Sequence, residues 1–193
     1  MGAVRLPLLT LLACLGFCSC DRAPRRTVAC RWFPNGDPGK CERAQDGRPI
    51  MPVEMLGQGE FSDHGFAVLD FDGELYYVNR RGKMASVLPF DNGADYFREG
   101  LARTKKNGKI GFFNAELDVV IAPVWDFAFP FEDGVAVVCE RCVPRRLFDE
   151  HVAMEGGRWG YIDKRGRVVV PLIYDEASLP DRDIAAKQAG TVQ

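Results

Sequence analysis

Short apolar runs, each bounded by turn-forming residues, recur along most of the chain. Residues 135–138 (VAVV) and 168–170 (VVV) are largely β-branched, and residues 159–162 (WGYI) mix aromatic and aliphatic side chains. Runs of this kind that end at Gly, Asn, Asp or Pro are typical of β-strands. The pattern therefore predicts an all-β protein built from short strands and tight turns.

The apolar runs return at a fixed spacing. The cores that begin at Leu75 and Ile110 lie 35 residues apart, as do Gly65 and Gly100, and Gly134 follows 34 residues later. Several markers that keep one spacing indicate a repeat. Three units align, and the positions that define them are Leu75, Tyr76, Tyr77, Phe90 and Asp91 in the first; Ile110, Gly111, Phe112, Trp125 and Asp126 in the second; Trp159, Gly160, Tyr161, Tyr174 and Asp175 in the third.

Each unit predicts a three-stranded meander of about 35 residues. Asn79 and Asp163 begin turns that end at Gly82 and Gly166, and their side chains can bond the amides that follow. A prolyl residue closes each unit, where it ends the third strand or lies at an edge. One unit cannot bury its own apolar face, so the copies must stack. We expect about nine strands, with a repeated aromatic core formed by Phe90, Phe112, Trp125, Trp159, Tyr161 and Tyr174.

The repeat resembles that of the WG-repeat (KWG-type) proteins, whose unit runs approximately G-L-A-x-V, K-W-G-Y-I-D-x-x-G, V-I-P-P-x-Y-D. The third copy fits best, with RWGYID, the Gly166 turn and VVVPLIYDEA. The second has Ile110 in place of Trp, and the first has Leu75-Tyr76 in place of Trp-Gly. The resemblance covers residues 61–178, divided into 61–97, 98–131 and 132–178. It implies an array of β-repeats and carries no catalytic residues with it.

The N-terminal residues 1–19 have the form of an export signal. Arg5 precedes an apolar run of about a dozen residues, which is too short to span a bilayer. The motif around Cys20 is similar to a bacterial lipoprotein signal, with Cys14 as a rival lipidation site and plain secretion without a lipid as the third alternative. We therefore expect a protein of the cell envelope, anchored by lipid at Cys20.

The other cysteines fit an oxidising compartment. Cys30 and Cys41 bracket a loop rich in turn residues and predict a disulfide. Residues 20–60 are otherwise expected to form a linker, with an edge strand at 53–56. Cys139 and Cys142 allow three interpretations: a disulfide, a redox pair, or a zinc site completed by His151 and an acid such as Glu150.

An insertion marks the third unit. The distance from the unit's first glycine to its core is 10 residues in the first two copies but 25 between Gly134 and Trp159. About fifteen extra residues are therefore expected to form a loop, and such loops often bind partners. Arg145, Arg146 and His151 are its candidate binding residues.

The charge balance excludes a nucleic-acid-binding surface. Lys and Arg total 25 against 27 acids among 193 residues, and no basic stripe stands out. No catalytic or phosphate-binding motif appears. We expect a non-enzymatic scaffold without a cofactor, whose partner is another envelope protein. The alternatives are a glycan- or peptidoglycan-binding module with exposed aromatic rings and an envelope thiol or metal protein using Cys139, Cys142 and His151. Residues 179–193 form a polar tail with a helical turn at 183–189.

Overall fold

Fifteen strands and two α-helices follow one another in the computed structural model, which describes residues 25–147 and 152–191. The strands are β1 (Arg26–Trp32), β2 (Gly39–Arg43), β3 (Pro49–Ile50), β4 (Phe66–Phe71), β5 (Glu74–Asn79), β6 (Met84–Val87), β7 (Pro89–Phe90), β8 (Gly93–Ala94), β9 (Leu101–Lys106), β10 (Lys109–Asn114), β11 (Val119–Trp125), β12 (Phe127–Ala128), β13 (Val135–Arg146), β14 (Val152–Asp163) and β15 (Val168–Tyr174). The helices are α1 (Val53–Leu56) and α2 (Arg182–Thr191), with a 3-10 turn at Glu176–Ser178.

Three antiparallel meanders form the body of the protein. Repeat 1 is β4-β5-β6, repeat 2 is β9-β10-β11 and repeat 3 is β13-β14-β15. The prediction of an all-β array of three repeated units is confirmed. The sheet of repeat 2 is buried on both faces, because Phe113 packs against repeat 1 while Phe112 packs against repeat 3.

The same turn closes the second hairpin of every repeat. The Oδ1 atom of Asp163 accepts hydrogen bonds from the backbone N–H groups of Arg165 and Arg167, both at 2.9 Å. Asn79 and Asn114 accept bonds from backbone amides of their own turns in the same way. A side chain that satisfies the turn's donors fixes where each second strand must end.

A bulge in the third strand explains the glycine of the motif. Ile110 pairs with Trp125 and Phe112 with Ile121, so four residues of β11 span two residues of β10. The extra chain passes directly over Gly111, where a Cβ would collide with Ile121 and Pro123. Repeat 3 has the same register around Gly160. Because the bulged residues leave the ladder, a prolyl residue is accepted there without loss of a hydrogen bond.

Repeat 1 has no bulge, and the prediction of Phe90 as a core residue is wrong. Tyr76 occupies the position of Gly111, and β6 pairs with β5 without interruption up to Leu75 and Val87. Val87 therefore occupies the place of Trp125 after 12 residues rather than 15. Phe90 comes too late for the core, lies 46% exposed and packs edge-to-face on Tyr96.

The predicted linker contributes three strands to the first sheet. That sheet has the order β3-β2-β1-β4-β5-β6, and the disulfide between Cys30 and Cys41 joins β1 to β2, which confirms that bridge. Residues 53–56 form helix α1 and not an edge strand, because Met55 turns inward to pack on Trp32 and Cys30. The indole N–H of Trp32 donates to the carbonyl of Met55 at 3.0 Å.

Helix α2 covers the outer face of repeat 3. The predicted helical turn at 183–189 is a full helix whose Ala185 packs against Tyr161 and Val170. Ile184 follows Tyr174 by ten residues, as Val135 follows Trp125. The helix therefore begins where the first strand of a fourth repeat would begin, and it caps the array. Across residues 25–147 and 152–191, no helix has the length and apolar character needed to cross a membrane.

A buried ion pair connects the segment after β8 with repeat 2 and with the edge of the repeat 3 sheet. The guanidinium of Arg103, on β9, donates to both carboxylate oxygens of Asp95 at 2.8 and 2.9 Å. A third bond, at 3.1 Å, reaches the carbonyl of Ala128 at the edge of the repeat 3 sheet. Both side chains are more than nine-tenths buried, so these bonds supply the partners that a buried charge requires.

Candidate functional site

The inserted residues form a β-ribbon and not a loop. Strands β13 and β14 each have 12 residues, against six in β9 and β10. Their ladder continues from the pair Cys142–Gly156 to the pair Arg146–Val152. The position of the insertion agrees with the sequence, but its form does not, because β-branched residues on both sides allow the two segments to pair. We call residues 142–156 the β-arm; residues 148–151, including His151, lie outside the described part.

The β-arm is inserted between the two residues of an ordinary hairpin turn. In repeat 2 this turn is Asn107-Gly108, with φ values of 52° and 80°. In repeat 3 the two matching residues are Arg141 and Gly157, with φ values of 60° and 74°. Both keep the left-handed conformation of a two-residue hairpin. The intervening residues 142–156 number fifteen, the size that the sequence predicts.

Buried contacts fix the base of the β-arm. Cys139 and Cys142 are joined by a disulfide across the turn position, and both pack with Trp159 in one cluster. The indole N–H of Trp159 donates to the carbonyl of Gly156 at 2.9 Å. A Cβ at Gly157 would lie 2.6 Å from the sulfur of Cys139, so only glycine fits there. The β-arm therefore leaves the body in a fixed direction.

The surface of the β-arm combines apolar and charged side chains. Val143 and Val152 are each 59% exposed, and Leu147 is also exposed. Arg145 pairs with Glu155 at 3.2 Å, and both side chains remain in solvent. In the described part of the chain, β12 pairs with β13 only at Val138 and Cys139, and the β15 ladder on β14 begins at Trp159. Beyond those points both edges of the ribbon have no neighbouring strand.

The structure also shows the surroundings of the residues considered for metal binding and for glycan binding. Within residues 25–147 and 152–191, no three His, Cys, Asp or Glu side chains are grouped so that they could hold a metal ion. The indole rings of Trp32, Trp125 and Trp159 are all buried in the core. Phe90 and Tyr96 form an exposed aromatic pair next to the short β7-β8 hairpin. The regular aromatic positions of repeats 2 and 3 therefore serve packing and do not form a row of exposed rings.

A charged pair recurs beside the motif in repeats 2 and 3. Lys109 Nζ lies 2.6 Å from Asp126 Oδ1, and Arg158 Nη1 lies 2.8 Å from Asp175 Oδ1. The hydrogen bond from Lys109, together with that from the N–H of Arg141, lowers the pKa of Asp126 despite its burial. Repeat 1 has Glu74 at the position of Lys109 and lacks this pair, while Asp91 lies in the turn between β7 and β8.

A groove lies between repeats 1 and 2, at a place that the sequence analysis did not predict as a site. It encloses about 570 Å³ and runs between the edge of β6 and the end of β9. Ser86, Tyr76 and Glu74 line one side, and Lys105 and Lys106 line the other, with Arg43, Arg48, Asp46 and Pro123 also on its walls. We call it the inter-repeat groove. The signal that could have revealed it is the missing bulge of repeat 1, visible as Tyr76 in place of glycine.

The wall of the inter-repeat groove holds a phenol in an unusual environment. The hydroxyl of Tyr76 donates to a carboxylate oxygen of Glu74 at 3.1 Å. Burial, followed by the negative charge of Glu74, raises the pKa of Tyr76 far above its ordinary value. The phenol is thus a neutral hydrogen-bonding group at every physiological pH.

Comparison with known families identifies the repeat. The sequence model described as "WG containing repeat" matches residues 77–109, 110–141 and 159–186. The unmatched residues 142–158 contain the β-arm, which agrees with an insertion into an otherwise regular unit. The third match continues into α2, which occupies the place of a following strand. Searches against curated proteins and against solved structures returned no match.

Proposed function

We propose that this chain, three segments of which are WG-type repeats, is a non-enzymatic scaffold of the cell envelope that binds another envelope protein through its β-arm. The observation that carries the proposal is the β-arm itself. Repeat 2 closes the same hairpin with Asn107-Gly108 alone, so the fold does not need the fifteen added residues. They hold Val143 and Val152 in solvent on a ribbon with free edges.

A ribbon of this kind suits recognition by strand addition. Backbone groups at a free strand edge provide affinity, and the side chains that alternate along the strand provide specificity. Natural proteins usually protect such edges, because an open edge invites pairing with another chain. The exposed Val143 and Val152 would supply apolar contacts, while Arg145 and Arg146 at the outer end would select the charge of the partner.

The proposed localisation in the cell envelope is based on residues that the structure does not describe. The apolar segment before Asp21 supports export, and the motif around Cys20 supports a lipid anchor there, with Cys14 as the rival site. The disulfide between Cys30 and Cys41 agrees with an oxidising compartment. Replacing Cys20 by Ala should move the protein from the membrane fraction to the soluble fraction, whereas Cys14→Ala should leave it membrane-bound.

The central test removes the β-arm without disturbing the repeat. Deleting residues 142–156 joins Arg141 to Gly157, whose backbone conformations already match those of Asn107-Gly108. Cys139→Ala is added so that no lone thiol remains. The lipidated protein and this variant are compared by cross-linking in intact envelopes and quantitative mass spectrometry.

We expect a defined set of cross-linked proteins that disappears with the β-arm. The matched control keeps the β-arm and carries only Cys139→Ala and Cys142→Ser, so it separates loss of the ribbon from loss of the disulfide. If the truncated protein still captures the same partners in the same amounts, the β-arm is not the binding element.

The two alternative functions have weaker support. A glycan-binding module would rely on Phe90 and Tyr96, because the tryptophan rings are buried. A thiol or metal protein would need reduced Cys139 and Cys142, which are joined and buried beneath Trp159. Titration of the unreduced protein with a thiol reagent tests the second alternative, since reactive thiols that appear only when zinc is removed would favour it over the scaffold.

A further inference from the structure

We propose that an enclosed pocket beside repeat 1 binds a neutral sugar unit of a glycan chain. The pocket has a volume of about 480 Å³ and is lined by residues 32–37 together with Gln58 and Glu60. We call it the cap pocket, because it is built from the segment that precedes β4 and packs on the first sheet. It uses neither the β-arm nor the exposed rings of Phe90 and Tyr96, so it does not depend on the function proposed above.

The first wall of the cap pocket is the turn between β1 and β2, and backbone contacts hold it in place. The N–H of Phe33 donates to the carbonyl of Val68 on β4 at 2.8 Å, and the N–H of Gly36 donates to the carbonyl of Trp32 at 2.7 Å. The disulfide between β1 and β2 joins the two strands that carry the turn. This wall is therefore formed before any ligand arrives.

The second wall is the connection from α1 to β4, and two glycines bring both walls close to Trp32. The N–H of Gln58 donates to the carbonyl of Met55 at 2.9 Å. A Cβ at Gly59 would lie 3.0 Å from the indole ring of Trp32, and a Cβ at Gly36 would lie 2.6 Å from its carbonyl oxygen. A pocket whose walls are already fixed loses little conformational entropy when a ligand binds.

The polar groups of the cap pocket suit sugar hydroxyls. Asn35 and Gln58 supply planar amides, and Asp37 and Glu60 supply planar carboxylates. None of these four side chains has a hydrogen-bonding or ionic partner within the described part of the protein. An amide both donates and accepts, a carboxylate accepts at two oxygens, and a hydroxyl does both. Adjacent hydroxyls of one sugar ring can therefore bond to a single planar group.

Phe33 adds the apolar surface that a sugar ring also needs. Its side chain lines the cap pocket and is half-buried. A Cβ at Gly93 would lie 3.8 Å from the ring, so the β7-β8 hairpin lies against it. The C–H groups on the face of a pyranose are apolar and pack on an aromatic face, whose charge is negative. An aromatic residue beside a few convergent polar groups is the usual composition of a small-molecule site.

The charge of the cap pocket selects against acidic sugars. Among the eight described residues that line it, Asp37 and Glu60 are the only charged ones, and neither is paired. The inter-repeat groove, in contrast, is lined by arginines and lysines as well as by acids. Two uncompensated carboxylates repel a uronic acid or a sulfated sugar, whereas they accept hydrogen bonds from neutral hydroxyls. The sugar that fits the cap pocket is therefore a neutral one.

Titration followed by NMR tests the cap pocket. The isotope-labelled full-length protein receives neutral tetrasaccharides of glucose, mannose, galactose or N-acetylglucosamine, each at up to about 10 mM to cover weak binding. The indole N–H of Trp32, which donates to the carbonyl of Met55 at 3.0 Å, is the local reporter. We expect at least one neutral tetrasaccharide to shift this resonance saturably, while the indole resonance of Trp159, at the base of the β-arm, stays unchanged.

Matched variants locate the binding site. Asn35→Ala with Gln58→Ala removes both amides and should weaken sugar binding roughly tenfold, because the hydrogen bonds to both are lost. Gln188→Ala removes an exposed amide from α2 and should leave the affinity unchanged. Since the amides of Asn35 and Gln58 have no partner within the described part of the protein, the double variant should also keep its melting temperature.

A further variant tests the selection by charge. The acidic probe is a tetramer of galacturonic acid, which should bind at least roughly tenfold more weakly than the best neutral sugar. Asp37→Asn with Glu60→Gln keeps the planar groups but removes their charge. This variant should bind the neutral sugar within about twofold of the original affinity and should bind the acidic tetramer much better than the original protein does.

The proposal is overturned if no neutral tetrasaccharide shifts the Trp32 resonance, or if the variant without both amides binds the sugar as tightly as the original protein. It is also overturned if the galacturonic acid tetramer binds as tightly as the best neutral sugar. If tetralysine shifts the same resonances as strongly, the site is only an acidic surface. The protein without residues 142–156 should bind the sugar normally, so a failure of the scaffold proposal is distinguishable from a failure of this one.

Discussion

The contact between repeats 1 and 2 and the contact between repeats 2 and 3, which we call the two junctions, are built from the same elements but pack differently. Between repeats 2 and 3, Leu172 of the β15 bulge packs into a core with Ile110 and Trp125. Between repeats 1 and 2, Pro123 occupies the position of Leu172 but lines the inter-repeat groove instead. Repeats 2 and 3 both have the bulge in their third strand. The difference between the two junctions therefore comes from the repeat that precedes each bulge. Repeat 2 presents Trp125 and β12 to its neighbour, whereas repeat 1 has neither.

One side chain accounts for much of this difference. Glycine at positions 111 and 160 lets the third strand pass over the second, which makes room for the bulge and the aromatic residue after it. Tyr76 forbids that crossing in repeat 1 and leaves β6 straight. A single position in the motif thus decides whether the third strand bulges where it faces the next repeat.

The largest expected effect comes from the buried ion pair between Arg103 and Asp95. Arg103→Met leaves the Asp95 carboxylate buried without its partner, so we expect the free energy of unfolding to fall by about 3–5 kcal/mol. Urea denaturation measures the loss. Lys83→Met, which breaks the exposed pair with Asp118, serves as the control and should cost less than about 1 kcal/mol. Equal losses would show that Arg103 does not hold the repeats together.

A methyl group added to the glycine beneath the third strand should also lower the free energy of unfolding strongly. In Gly160→Ala the new Cβ would lie 2.5 Å from the carbonyl oxygen of Val170, and relief requires the β15 bulge to move. We expect a loss of about 2–3 kcal/mol in urea denaturation. Gly93→Ala introduces the same methyl group where the nearest atom is 3.8 Å away, and should change stability by less than about 0.5 kcal/mol. A tolerated Gly160→Ala would refute the packing explanation of the motif.

Truncation of the matched bulge residues compares the junctions directly. Leu172→Ala removes a half-buried side chain from the core between repeats 2 and 3, and should cost about 1.5 kcal/mol in thermal or urea unfolding. Pro123→Ala removes a side chain that faces the inter-repeat groove, and should cost about 0.5 kcal/mol or less. If the two changes cost the same, the junction between repeats 1 and 2 is packed as tightly as the other.

The smallest effect is a pH dependence that comes from the second turn of repeat 3. Burial by itself would raise the pKa of Asp163, but the N–H groups of Arg167 and Arg165 and the guanidinium of Arg167 outweigh it, so the pKa is lowered from 3.8. A lowered pKa in the folded state adds stability above the ordinary pKa, and this stability is lost as the pH falls below about 4.

Repeats 1 and 2 have Asn79 and Asn114 at this turn position and cannot show that dependence. Asp163→Asn should therefore flatten the fall in unfolding free energy between pH 5 and pH 2 by about 1 kcal/mol. Asn114→Asp should make the fall steeper by a smaller amount, because the carboxylate of Asp118 lies at the position that Arg167 has in repeat 3. Unchanged pH profiles in both variants would mean that the turn carboxylate does not contribute.

The repeat could be predicted from the sequence because its signals are local. The turn residues Asn79, Asn114 and Asp163 act on amides a few positions away, and alternating apolar residues mark the strands without reference to any other part of the chain. The insertion could also be located, since Gly134 and Trp159 are too far apart. These features need only the spacing of residues along one segment.

Other features could not be predicted from the sequence, because they depend on contacts between residues that are far apart in the chain. Cys30, Cys41 and the strands around them read as a linker, but β1 becomes a strand by pairing with β4 across residues 30–71. Phe90 matches the spacing of the aromatic residues, yet the absent bulge places Val87 in its position. The inter-repeat groove arises from what repeat 1 lacks, and its signal in the sequence, Tyr76 in place of glycine, acquires that meaning only when two repeats pack together.

Local signals along the chain specify the repeated unit, its turns and the size of the insertion, because hydrogen bonds and alternation within about 35 residues are enough to set them. Three other features follow from the packed fold: where β12 pairs, that the insertion becomes a ribbon, and that α2 ends the array. Those outcomes depend on the packing of one repeat against another, where the fit of Leu172 or the bulk of Tyr76 acts between segments far apart in the chain.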